Sequence, residues 1–125
     1  IHISEGNSFG YLAGEAAYLE GEEWFDEVKK IIYDNYIFLK DRLLEKLPKL
    51  QIAPLEGTYL MWADFGAYLK ESEMTYFFEK KCKIALDYGE WFHGGAETWV
   101  RFNLATSREI IEKAAEIILG QLKDS

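Results

Sequence analysis

One arginine stands out by its setting. Residues 99–104 read Trp99-Val100-Arg101-Phe102-Asn103-Leu104. Their period-two alternation predicts a strand with Val100, Phe102 and Leu104 on one face and Trp99, Arg101 and Asn103 on the other. A loop rich in aromatics and glycine precedes it, Trp91-Phe92-His93-Gly94-Gly95. A guanidinium so placed has the planar fork that captures a planar anion through two hydrogen bonds, above all a carboxylate. The same pattern also describes a solvated arginine on the wet face of a half-buried strand, which is the commoner occurrence.

Other chemistries find less support. His2, His93, Cys82 and Glu97 have no recognised ligand spacing, so no metal site is expected. There is no Gly-x-Ser-x-Gly elbow for a nucleophilic serine. The pair Gly94-Gly95 invites a phosphate-loop reading, but a strand follows it, and an anion cradle needs a helix N-terminus. A hinge loop is the simpler reading. Asp64, near the end of another alternating run, is more often a turn-former or helix cap than a catalyst. The lysines sit mostly on wet helical faces, where they are solvated charges and not desolvated nucleophiles.

The elements that must position Arg101 can be read in order. A helix is expected from about Ser8, with Phe9, Leu12, Ala13, Ala16 and Ala17 on one face, ending near Gly21. Glu22 opens a longer helix, whose stripe is Val28, Ile31, Ile32, Tyr36, Leu39, Leu43 and Leu47. Pro48 stops it after roughly 25 residues, or ~37 Å. That is too long for one small domain to cover, which suggests a helix bridging two domains or a helical pair in a dimer. Strands are expected over 50–53, 58–64, 84–86 and 99–104. Ser72 is expected to cap a helix running to about Lys83, with Met74, Phe77, Phe78 and Cys82 inside. Thr106 and Glu109 fit a capping box opening a last helix, which points Ile110, Ile111, Ala114, Ala115, Ile118 and Leu122 inward. Strands clustered between helices predict an α+β fold, a few-stranded sheet with helices on one face. The best internal boundary lies in the long helix. Residues 1–35 read as the tail of one domain and 36–125 as a nearly complete small one.

Composition narrows the partners. The 125 residues carry 14 Lys and Arg against 22 Asp and Glu, a net charge of −8. With basic residues scattered, neither nucleic acid nor an anionic membrane is an expected partner. No apolar run approaches the ~18 residues of a membrane span, and no signal peptide is visible. The single cysteine, Cys82, cannot form an internal disulfide, and a reduced cytoplasmic setting is the simplest inference. The chain opens Ile1-His2-Ile3 without an initiator Met and reads as part of something longer.

The phrase Trp-Phe-x-Gly-Gly-x-x-x-x-Val-Arg-Phe-Asn-Leu-Ala-Thr-x-Arg, over residues 91–108, resembles the C-terminal part of fold-type I pyridoxal-phosphate enzymes. The likeness is to the cystathionine β-lyase-like branch of the class I/II aminotransferase family. The phrase Glu-Gly-Thr-Tyr-Leu-x-Trp-x-Asp-Phe over 56–65, and Asn-x-Phe-Gly with Ala-Ala-Tyr near the start, resemble the same family. The Pro that usually stands before Arg108 is replaced by Ser107. The resemblance implies the small C-terminal domain of the aspartate-aminotransferase fold after a long bridging helix. It implies that Arg101 holds the α-carboxylate of an amino-acid substrate, supported by Asn103, with Trp91, Phe92 and His93 lining the pocket. Asn7, Ser8 and Tyr18 would be interface residues or stand behind the site. The cofactor lysine and the other pyridoxal-phosphate ligands of the family precede the part that begins here. By the resemblance this chain therefore holds neither catalytic nor cofactor-binding residues, is inactive alone, and works with its own large domain in a homodimer. The alternative from the residues alone is a non-catalytic α+β module that dimerises through its first helices.

Overall fold

The structure, a computed structural model, describes residues 6–92 and 94–123. It falls into two compact units, Ile1–Lys30 and Ile31–Ser125. The first holds helix α1 (Ser8–Glu20) and the opening of helix α2 (Glu22–Lys46), which continues into the second. The Asn7 side chain caps α1, its Oδ1 accepting from Gly10 N at 2.7 Å. The apolar residues of α1 are uncovered: none of its residues is buried, and Phe9 is 85% exposed.

The second unit is a sheet with helices on one side. Its strands are β1 (Gln51–Ile52), β2 (Leu60–Asp64), β3 (Asp87–Tyr88) and β4 (Trp99–Asn103), in the order β1-β2-β4-β3, all antiparallel. Met61, Ala63 and Phe65 from the β2 run, and Val100, Phe102 and Leu104 from the β4 run, are buried. They share one core with Leu39 and Leu43 of α2, with Phe77 and Phe78, and with Ile111, Ala115 and Ile118 of helix α3 (Arg108–Lys123). The α+β architecture expected from the sequence is the one observed.

Several local expectations are corrected. The helix expected from Ser72 is a 3-10 turn, Glu71–Glu73, then a π-helical stretch, Tyr76–Lys81. Its cap is at Lys70, whose backbone N–H donates to the Glu73 carboxylate at 2.9 Å. The wider turn, with Cys82 N donating to Phe77 O, places the consecutive Phe77 and Phe78 both in the core. The strand expected at 84–86 begins only at Asp87. Lys83 turns the chain at φ 58°, and the Ile84 N–H is taken by Phe78 O, so it cannot join the ladder. Pairing in β2 starts at Leu60 because Thr58 lies at φ 64° in the preceding turn. The last helix begins at Arg108, not after Thr106; Ser107 O accepts its first N–H groups, from Ile110 and Ile111. Ile110 is 57% exposed, and Leu119 takes a core position instead.

Candidate functional site

Arg101 sits in the third of four laterally paired strands, so it has a strand neighbour on both sides. Trp62 of β2 stands opposite it on one side and Asp87 of β3 on the other. Period two puts all three on the face away from the core. The Arg101 guanidinium donates from Nε at 3.0 Å and from Nη2 at 2.7 Å to the same oxygen, Asp87 Oδ2. Its carbon lies 4.6 Å from the Phe92 ring centroid and 5.9 Å from that of Trp62. The two rings meet edge to face at 5.2 Å. The arginine side chain is thereby only 25% exposed although it lies on the wet face.

Beside it opens a cleft of about 410 Å³, lined by residues 53–58, Leu60, Trp62 and Arg101. It is walled by the turn between β1 and β2 and contains one acidic residue, Glu56. The corner after β4 is fixed from behind. Asn35, 1% exposed, donates from Nδ2 to Leu104 O at 3.0 Å and to Thr106 O at 2.9 Å. Arg108 Nη2 donates to Asp34 O at 2.9 Å, and its guanidinium lies over Phe38.

The residues singled out from the sequence are only partly brought together. Phe92 joins Arg101, carried there by a 3-10 turn, Gly89–Phe92, that follows β3. Trp91 turns to Tyr88 instead, edge to face at 5.4 Å, and is 56% exposed. Asn103 is exposed and its Oδ1 accepts from Ala105 N at 2.9 Å, which makes it a turn residue at the strand end. His93 lies outside the described residues. Asn7, Ser8 and Tyr18 are in the first unit and exposed. Asp64 is a turn tie: its Oδ1 accepts from Gly66 N at 2.9 Å and from the Thr98 hydroxyl at 2.6 Å. Sequence reasoning missed Trp62 and Asp87 as neighbours of Arg101. The alternation in 58–64 put Trp62 on a face, but only the strand register puts it beside Arg101. On the core side of β3, burial pushes the Tyr88 phenol up to about 12, and the charge of Glu79 adds to it.

Among the described residues no group of three His, Cys, Asp or Glu is arranged to hold a metal ion, and no helix is long and apolar enough to cross a membrane.

No family model matches the chain. It is 39% identical over 113 residues to cystathionine β-lyase of Corynebacterium glutamicum, covering 90% of this chain and 30% of that protein. It is 35% identical over 117 residues to the cystathionine β-lyase PatB of Bacillus subtilis, covering 93% and 30%. The fold matches the pyridoxal-phosphate-bound C-S lyase from Staphylococcus hominis with a TM-score of 0.89 at 32% identity, over 99% of this chain and 33% of that one. The chain belongs to the cystathionine β-lyase-like branch of the fold-type I pyridoxal-phosphate enzymes. It spans about 30% of the length of the curated relatives it matches. The α+β fold with its four-stranded antiparallel sheet is the one these lyases share over that length.

Among the described residues the lysines do not fit the cofactor's Schiff base. Pyridoxal phosphate needs a desolvated lysine amine and a cup of donors for its phosphate. Apart from Lys40, whose ammonium lies over the Tyr36 ring, the lysines with a described side chain are exposed. The donor set around Arg101 fits one carboxylate.

Proposed function

We propose that this chain is the C-terminal part of a pyridoxal-phosphate-dependent lyase or aminotransferase of the cystathionine β-lyase kind, and that Arg101 holds the α-carboxylate of its amino-acid substrate. In this reading residues 1–35 belong to the tail of the large domain and the start of the interdomain helix, and 36–125 form the small domain. The cofactor and its lysine belong to the rest of the protein, where pyridoxal phosphate acts as electron sink. The reading rests on one observation above all. Arg101 is walled by Phe92 and Trp62 and opens on a cleft, which suits a carboxylate held away from bulk water. The contribution of Arg101 is orientation: an amino acid fixed by its carboxylate has lost the rotations that would scatter its Cα bonds.

Support for the rest of the chain as partner comes from the length comparison and from α1, whose Phe9, Tyr18 and Leu19 are more than two-thirds exposed. Asn7, Ser8 and Tyr18 would lie at that interface, in a cytoplasmic homodimer. Sedimentation of the intact enzyme as a monomer would remove the dimer from this account.

The test of the site is Arg101→Ala in the intact enzyme with L-cystathionine as substrate. A charge-assisted pair is lost, so kcat/KM should fall by the equivalent of about 2–5 kcal/mol, with KM raised. An unchanged KM refutes the carboxylate role.

A further inference from the structure

Resting on that reading, we propose that Asp87 is a positioning residue for Arg101, fixing which edge of the guanidinium receives the carboxylate. A guanidinium has two edges able to form paired hydrogen bonds, Nε with Nη2 and Nη1 with Nη2. Asp87 Oδ2 occupies the first, at 3.0 and 2.7 Å. The aromatic rings of Phe92 and Trp62 stand near the planar guanidinium at 4.6 and 5.9 Å. The Nη1–Nη2 edge is what remains for a planar anion. Arg101 is thus turned and held before any ligand arrives, by a neighbour that the β3–β4 register sets directly opposite it.

Two effects of Asp87 oppose each other, and this makes the idea testable. Its negative charge repels an incoming carboxylate, so charge alone predicts tighter binding when it is removed. Its oxygen immobilises a long side chain, so positioning predicts weaker binding when it is removed. Asp87→Asn removes the charge and keeps an oxygen that accepts from Nε and Nη2. Asp87→Ala removes both.

The experiment uses the intact enzyme. Phenylglyoxal modification of Arg101 is followed by peptide mass spectrometry, with acetate as the protecting probe. Under the proposal, Asp87→Ala raises the half-protecting acetate concentration, and the KM for substrate, by about fivefold or more, as expected when a rotamer-rich side chain must be ordered on binding. It leaves kcat within about twofold, because the bound state is the same once formed. Asp87→Asn binds acetate as well as the parent or better. Unchanged or tighter binding in Asp87→Ala overturns the proposal, and so does Asp87→Asn as weak as Asp87→Ala. If acetate fails to protect Arg101 in the parent enzyme, the carboxylate role of Arg101 itself fails, a result distinct from either outcome at Asp87. Should Asp87→Ala not fold, Asp87→Asn still decides: weaker acetate binding than the parent refutes positioning through the acceptor.

Discussion

Replacing Asn35 should destabilise the sheet unit by an amount that can be worked from two hydrogen bonds. Its carboxamide is 1% exposed, and Nδ2 serves Leu104 O and Thr106 O at 3.0 and 2.9 Å. Each bond contributes about 1 kcal/mol net, and Leu104 O keeps a second donor, Thr106 N at 2.9 Å, when the amide is removed. The Leu104 bond is buried and the Thr106 bond only partly so, so water replaces the Asn35 donor more readily at Thr106 O than at Leu104 O. Asn35→Ala should therefore cost about 2 kcal/mol, two bonds at about 1 kcal/mol each. With a urea dependence of about 1–3 kcal/mol per molar, the midpoint falls by about 1 M. Asn35→Leu separates hydrogen bonding from packing, because it keeps the branched side-chain shape but removes the same two donated bonds. It should cost as much as the alanine change. Asn35→Asp is worse at neutral pH, since it turns an acceptor toward two acceptors. Urea titration of the full chain followed by circular dichroism reads all three. A leucine variant within about 0.3 M of the parent midpoint would refute the reasoning, because the carbonyls would then not depend on the amide.

Two further outcomes follow from groups around β3. The folded Tyr88 phenol is raised from 10 to about 12, so its neutral form favours the folded state. That stability is fully present below pH 10 and is lost as the pH rises through 12; Tyr88→Phe should lack this alkaline loss, and equal midpoint-versus-pH slopes in the two proteins would contradict it. Gly89→Ala should cost about 1–3 kcal/mol in urea, because the added Cβ runs into the Ala96 carbonyl, which is itself held by Trp99 N at 2.9 Å. An unshifted midpoint would show that the turn carrying Phe92 can give way.

The long elements were legible because their periodicity is long enough to read. The stripe of α2 is buried from Tyr36 onward at Leu39 and Leu43, and Pro48 falls just past the observed end at Lys46. The alternation of 99–104 gave both faces of β4 correctly, because Val100, Phe102 and Leu104 leave one register that buries them all. The segment 71–88 was read poorly for physical reasons. The π-helical stretch breaks the 3.6-residue period, so consecutive Phe77 and Phe78 look like an interrupted stripe. Strand β3 has two residues and no alternation to detect, so Asp87 falls outside the strand expected over 84–86. Thr58 and Lys83 both turn the chain through positive φ without being glycine, which composition does not signal.

Arg101 and the core are two readouts of one strand. Arg101 points where it does because Val100 and Phe102 are buried, at 0% and 4% exposure, and a one-residue slip of β4 would reverse both faces together. Asn35 holds the carbonyl of Leu104, the next buried residue in that alternation, and so resists such a slip at the strand end. Asp87 and Trp62 meet Arg101 only in the observed register, one from each neighbouring strand. The apolar face and its buried amide therefore specify the register. The register in turn assembles the charged and aromatic groups that no single segment carries. A guanidinium walled by groups from two neighbouring strands thus needs no local motif beyond one arginine at the right parity, provided that the other face of the strand is apolar enough to fix it.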